Sequence, residues 1–164
     1  MKRLVDNRTG KDIKPETFVS YEVKDGNLIF NFVAHNSSLN SYSNIDNDKL
    51  YNGDVVEVFL DVGDEFYYEF EVAPNGATFV ATILNREITF IPNSFFKEEV
   101  EVVGSDYKVK MIIDLTKLGK VKHVKFNAFR IETKGKRPNY ILQALSPTLS
   151  ETFHDKNAFI ELVD

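Results

Sequence analysis

No cysteine and no tryptophan occur among the 164 residues of this chain. The missing cysteines exclude disulfides, thiolate nucleophiles and cysteine-ligated zinc or iron–sulfur centres. They fit a reducing compartment without demanding one. A basic excess is missing too: 20 Lys and Arg stand against 25 Asp and Glu, a formal net charge of −5. A nucleic-acid surface needs a positive stripe to neutralise phosphates, so no nucleic-acid partner is expected. The densest basic stretch, KGKRP at 134–138, reads as a solvated turn, with a phosphate site as the minor alternative. No run approaches the ~18 apolar residues of a membrane helix, and the opening MKRLVDNRTGKDIK lacks an apolar signal core. No membrane partner is expected. The expected location is cytoplasmic, or extracellular if the chain is trimmed from a secreted parent.

Helical periodicity is nearly absent, and period-two alternation takes its place. Runs such as NLIFNFVA (27–34), DVVEVFLD (54–61), FYYEFEVA (66–73), ATFVATIL (77–84), YKVKMIID (107–114) and KHVKFNAFRIE (122–132) alternate apolar and polar residues. This is the pattern of half-buried strands. Aromatics make up 13% of the chain, all Phe and Tyr, and these favour strands. Turn signals separate the runs, with PNG at 74–76 the clearest hairpin. DLTKLG (114–119) predicts a single helical turn stopped by Gly119. Strand starts recur roughly every ten residues, the spacing of a sandwich. The expectation is one all-β domain over 1–164, an antiparallel β-sandwich of about ten strands.

One segment departs from this rhythm. HNSSLNSYSNIDNDKLYNGD (35–54) is rich in Asn, Ser and Asp. A loop this long in a compact domain is often functional and otherwise mobile. It delivers Tyr51 to the start of the strand that carries Glu57.

The order of the motifs carries further information. LYNGDVVEVFLD is followed by YYEFEVAPNGATFVATI, then YKVKMIIDLTKLG, VKFNAFRIE and LSPTLSETFHDKNAFIELV. Over residues 50–163 this order resembles carbohydrate-binding module family 9, a β-sandwich related to the DOMON-type domains. The resemblance implies a sugar ligand and a stacking aromatic at Tyr51. Well-studied members of the family clamp a sugar between two tryptophans, which this chain lacks. The resemblance therefore supports the fold more strongly than it supports binding.

Alternation assigns faces within the strands. In DVVEVFLD, Val56, Val58 and Leu60 share one face, and Val55, Glu57, Phe59 and Asp61 the other. In YYEFEV, Tyr68, Phe70 and Val72 oppose Tyr67, Glu69 and Glu71. If the two strands are neighbours, three carboxylates and a tyrosine share a half-open face. Carboxylates accept bidentate hydrogen bonds from vicinal hydroxyls, and flat rings stack on the C–H face of a pyranose. The plain alternative is a solvated sheet face. Arg86 and Arg130 are the arginines expected on strands. Arg130 shares a face with Phe126 and Ala128, so it is either paired with Glu57 or another carboxylate or clamps a ligand. Asn127 points away from it. The candidate ligand contacts are Tyr51, Glu57, Tyr67, Glu69, Arg86 and Arg130. His154 is expected to pin the returning chain beside Phe153 rather than to touch ligand, while His35 and His123 are expected at the surface.

No cofactor is expected. The acidic turns IDND (45–48) and DVGDE (61–65) lack a full calcium-loop pattern, and a structural calcium there is a weaker reading than a plain turn. Haem would need Met111 or a histidine, and Met111 alternates with Val109 and Ile113 as a core residue does. The leading functional reading is a non-catalytic domain holding a mono- or oligosaccharide by stacking and carboxylate hydrogen bonds. A structural or interaction module that has lost sugar binding is the alternative. A two-carboxylate glycosidase ranks third, because no catalytic motif is present.

Overall fold

The computed structural model describes residues 1–134 and 140–163, so most of the KGKRP turn lies outside the described residues. Two antiparallel sheets face each other. The smaller contains β1 (Lys2–Arg3), β3 (Thr17–Lys24), β4 (Asn27–Ala34), β9 (Phe96–Val103) and β10 (Asp106–Asp114), in the order β1-β3-β4-β10-β9. The larger contains β2 (Val5–Asp6), β5 (Val55–Asp61), β6 (Tyr67–Val72), β7 (Thr78–Leu84), β8 (Glu87–Phe90), β11 (Lys125–Glu132), β12 (Ile141–Ala144) and β13 (Ile160–Glu161). Its order is β2-β12-β11-β5-β6-β7-β8, with β13 on the end of β11. The fold is the expected all-β sandwich. Among the described residues, the ten strands β3 to β12 have four or more residues. The extra pairs β1, β2 and β13 are two residues long, too short for alternation to register.

Alternation places the core where it was expected. Val56, Val58 and Leu60 of β5 and Phe70 and Val72 of β6 meet Phe30, Phe32, Val109 and Met111 of the opposing sheet. Tyr21, Phe30 and Phe126 form an edge-to-face aromatic cluster across the gap. DLTKLG makes a 3-10 turn over Leu115–Lys117, capped by the Asp114 carboxylate accepting from the Thr116 N–H.

The other face of the larger sheet is also covered. Phe59, Phe129 and Tyr67 lie under Phe153 and Phe159 of the C-terminal segment. Phe153 stacks on Phe129 at 4.1 Å between ring centroids. Two asparagines hold this segment in place. Asn127 donates to the Ser146 carbonyl at 2.7 Å and accepts from the Ser146 N–H at 3.0 Å. Asn7 donates to Thr148 Oγ1 at 2.9 Å and the Ser150 carbonyl at 3.0 Å, and accepts from the Thr148 N–H.

The long loop is held at both ends. Asp54, fully buried, accepts from the Thr133 N–H and hydroxyl at 2.7 Å each. Its second oxygen accepts from Ser37, Ser38 and the Asn40 N–H. Gly53 follows from the same packing, because a Cβ there would lie 2.5 Å from the Asn40 carbonyl oxygen and the Tyr42 nitrogen. Further along, Asp46 and Asn47 accept from the N–H groups of Thr78 and Val80. β8 pairs only with residues 81–84 of β7, so the loop covers the stretch of β7 edge that β8 leaves bare.

Candidate functional site

A cleft of about 450 Å³ opens on the outer face of the larger sheet. Its floor comes from β5 and β6 through Glu57, Phe59 and Glu69. Tyr51, on the 3-10 turn Leu50–Asn52, forms one wall, and Phe153 and His154 of the C-terminal segment form another. Tyr140 and Arg8 complete the rim. The Tyr140 hydroxyl donates to the Asn52 carbonyl at 2.7 Å and so braces the turn that carries Tyr51.

The strand register brings the carboxylates together. Glu57 and Glu71 stand directly opposite each other on β5 and β6, and Glu69 pairs with Phe59. They do not form a solvated or half-open face: Glu57 is 2% exposed, Glu69 5% and Glu71 0%. His154 of the C-terminal segment lies against Glu69, and the 3-10 turn Leu50–Asn52 packs on β6, which carries Glu69 and Glu71. Burial, reinforced by the charge of Glu69, pushes the Glu57 carboxyl well above the usual carboxylate range. Burial and its two neighbours do the same to Glu71. Burial raises Glu69 to about 8. Carboxyls crowded in a dry site retain protons because the charged forms lose solvation and repel each other.

His154 both pins and lines. Its Nδ1 shares a short hydrogen bond with the Tyr67 hydroxyl, and its ring stacks on Phe59 at 4.8 Å. Nε2 lies 3.9 Å from Glu69 Oε1. Burial, aided by Arg86, lowers the His154 pKa, so the neutral imidazole is favoured and the contact with Glu69 is polar rather than a full ion pair. With 36% of the side chain exposed, His154 also forms part of the cleft wall. The structural role expected from sequence and a place at the cleft thus belong to one residue. Replacing it by Ala should lower stability by about 1–3 kcal/mol, the cost of stranding a buried partner such as Tyr67. Urea unfolding followed by fluorescence of the seven tyrosines measures this, and an unchanged midpoint would remove the pin.

The remaining candidates separate. Tyr67 lies beneath the cleft and reaches it through His154. Arg86 is not on a strand: Asn85 (φ 51°) and Arg86 (φ 67°) form the two-residue turn between β7 and β8. Positive φ at both central positions matches the twist of a tight hairpin. Arg86 is exposed there, near enough to offset part of the rise that burial gives the Tyr67 hydroxyl and to add to the lowering of His154. Arg130 lies on the opposite side of its sheet, among the inter-sheet core residues, with 0% exposure. Its partner is Glu132, at 3.2 Å, and not Glu57. Alternation explains this, since Arg130 and Glu132 share the inward face while the neighbouring strand turns Glu57 outward. His35 and His123 are partly buried rather than free at the surface, contacting Asp106 at 3.1 Å and Asp61 at 3.4 Å.

Several lining residues escaped sequence reading. Arg8 donates to Glu151 Oε1 at 2.8 Å and to the Tyr140 carbonyl at 3.1 Å. It sits in a polar turn far from the site in sequence, and no local pattern marks it. Phe153 was legible as an anchor, but not as a cleft wall.

No family model matches the sequence, and the comparison with curated proteins finds no match. Solved structures do match. A Bacteroides uniformis protein provisionally described as carbohydrate-binding superposes with a TM-score of 0.80 at 19% identity, over 96% of this chain and 83% of that one. A family 9 carbohydrate-binding module from Caldicellulosiruptor kristjanssonii, in complex with cellotriose, superposes with a TM-score of 0.59 at 16% identity. That match covers 80% of this chain and 65% of the other. At such identities the likeness concerns fold, and this chain resembles the family 9 carbohydrate-binding sandwich. Among the described residues, no helix is long and apolar enough to cross a membrane.

Proposed function

We propose that this chain is a non-catalytic carbohydrate-binding domain that holds a mono- or oligosaccharide in the cleft beside Tyr51. The carrying observation is the lining: Tyr51, Phe153 and Tyr140 surround Glu57, Glu69 and His154 in one cleft of about 450 Å³. Apolar walls with a few convergent polar groups are the usual make-up of a small-molecule site. Aromatic faces suit the C–H side of a sugar ring, and the carboxyl and imidazole groups suit its hydroxyls. The fold shared with a module in complex with cellotriose supports the same class of ligand. Arg86 is a candidate rim contact, and Tyr67 acts by orienting His154.

Tyrosine presents a smaller face than tryptophan, so affinity should be weak, roughly tens of micromolar to millimolar, or about 4–6 kcal/mol. Screening a panel of reducing sugars and short glycans for a rise in melting temperature identifies the ligand by linkage. Tyr51→Ala should then remove most of the affinity and leave the fold intact, as titration and circular dichroism would show. A panel with no binder would favour a structural or interaction module. Equal binding by Tyr51→Ala would place the site elsewhere. The raised carboxyl pKa values of Glu57 and Glu69 favour one competing reading, a glycosidase, and release of reducing ends from the same panel would establish it.

A further inference from the structure

The three carboxylates under the cleft present a second problem. Oxygens of Glu57, Glu69 and Glu71 all come within 4.8 Å of one another. Each residue is at least nine-tenths buried. Glu57 Oε2 and both oxygens of Glu71 have no hydrogen-bond donor from the protein. Among the described residues, no Lys or Arg forms an ion pair with any of the three, and the nearest basic side chain, His154 at 3.9 Å from Glu69, is held neutral by burial. Like charges directly opposite on paired strands destabilise a sheet, and an unpaired buried charge costs more still. A fully buried glutamate whose oxygens meet no donor except the neighbouring Glu57 carboxyl when protonated calls for a shared proton or a cation between them.

We propose that Glu57, Glu69 and Glu71 form a binding site for one calcium-sized divalent cation beneath the cleft. All the ligands are carboxylate oxygens, the hard donors that suit calcium, magnesium or manganese rather than thiolate-seeking metals. Dehydration selects among these: magnesium gives up its waters reluctantly and is seldom held by an all-protein carboxylate cage, whereas calcium accepts one in flexible geometry. Glu71, opposite Glu57, stands outside the cleft lining, while Glu57 and Glu69 also line the cleft. The open side of the ion therefore faces the cleft, where water or a vicinal diol would complete its coordination. Protons are the rival occupants, because the same burial and repulsion that attract an ion raise the carboxyl pKa values. Metal uptake must displace them.

The test uses the full chain, stripped with EDTA and free of sugar, titrated calorimetrically with CaCl2, MnCl2 and MgCl2. One saturable calcium site per chain is expected, with magnesium weaker. The melting temperature should rise by about 5–10 °C at a calcium concentration about 100 times Kd. The measured heat should vary with the ionisation enthalpy of the buffer, and affinity should fall at least about tenfold from pH 8 to pH 6 as protons compete. Glu71→Gln should weaken calcium binding at least about tenfold, and Asp64→Asn, in the acidic turn after β5, should leave it unchanged. If Glu71→Gln does not fold, Glu69→Gln decides by the same criterion. No saturable uptake, or uptake unaffected by Glu71→Gln, overturns the proposal and leaves the cluster to protons alone. Because no sugar is present, neither result bears on the carbohydrate reading.

Discussion

Arg130→Ala is expected to destabilise the protein by about 3–5 kcal/mol, the range for removing one partner of a buried pair. Four acceptors depend on this guanidinium. Nη1 donates to Thr17 Oγ1 at 2.8 Å and the Glu16 carbonyl at 3.3 Å, and Nη2 to the His35 carbonyl at 2.9 Å and Glu132 Oε2 at 3.2 Å. Thr17 and His35 belong to the smaller sheet and the chain leaving it, while Arg130 belongs to the larger. The side chain therefore ties the two layers together at the end where the long loop begins. Its loss leaves Glu132 charged, 0% exposed and without its cation. The Glu132 carboxyl is already raised by burial and by Asp54, against the lowering effect of Arg130, so it would take up a proton more readily in the variant. Arg130→Met with Glu132→Gln should recover much of the loss, since it removes both charges and largely keeps the volume. Urea unfolding of the three proteins tests this. A single variant within ~1 kcal/mol of wild type would refute the account of Arg130 as the tie between sheets.

The second large effect is a loss of stability at alkaline pH. In the metal-free chain, Glu57, Glu69 and Glu71 all have folded-state pKa values above their ordinary values. A group with a raised folded pKa binds its proton more tightly when folded. Its stabilising protonation is fully present below the unfolded pKa near 4.5 and is lost as pH rises through the folded value. For Glu69 the window runs from its ordinary value of 4.5 to about 8. At ~1.4 kcal/mol per pKa unit, the loss from this cluster between pH 5 and pH 9 should be on the order of several kcal/mol. Asp54 and Asp61 act in the opposite sense, because hydrogen bonds outweigh burial and hold their pKa values low. Their contribution is lost in acid. Melting temperature in EDTA should therefore fall between pH 6 and pH 9. Glu71→Gln, which removes one of the crowded charges and keeps the shape, should flatten the decline and be more stable than wild type at pH 9. A wild-type profile level across that range would contradict the buried-cluster picture. Calcium added at pH 8 should restore stability to the wild type and not to the variant.

How much of this was legible in the sequence follows from the range of the forces involved. Strand alternation is local: each residue points opposite to its neighbour whatever lies beyond. Val56, Val58 and Leu60 could thus be assigned to the core, and Glu57 grouped with Phe59, from seven consecutive residues. The same argument placed Tyr68, Phe70 and Val72 inside and Met111 among core residues, and the structure has them there. The PNG turn, the short turn after Asp114 and the sandwich class were readable for the same reason.

The site depends on contacts between residues far apart in the chain, which alternation does not encode. That β5 and β6 lie side by side was a natural inference from the hairpin signal. That the chain from Ser146 to Phe159 folds back over them was not. Asn7 and Asn127 hold that segment by hydrogen bonds spanning up to 145 residues. That segment brings His154 onto Tyr67 and Glu69, and on a face that read as solvated three glutamates are buried. Arg86 was displaced from its expected strand because the hairpin twist demanded two positive φ values just there. Arg130 and Glu57 read as potential partners from charge alone, yet sheet pairing put their side chains on opposite faces. By itself, the sequence determined which residues face which side of each strand, because that is a property of one extended backbone. Only the tertiary structure decided which faces are buried, and hence which charges are paired, protonated or open to a ligand, because burial is set by what packs on top.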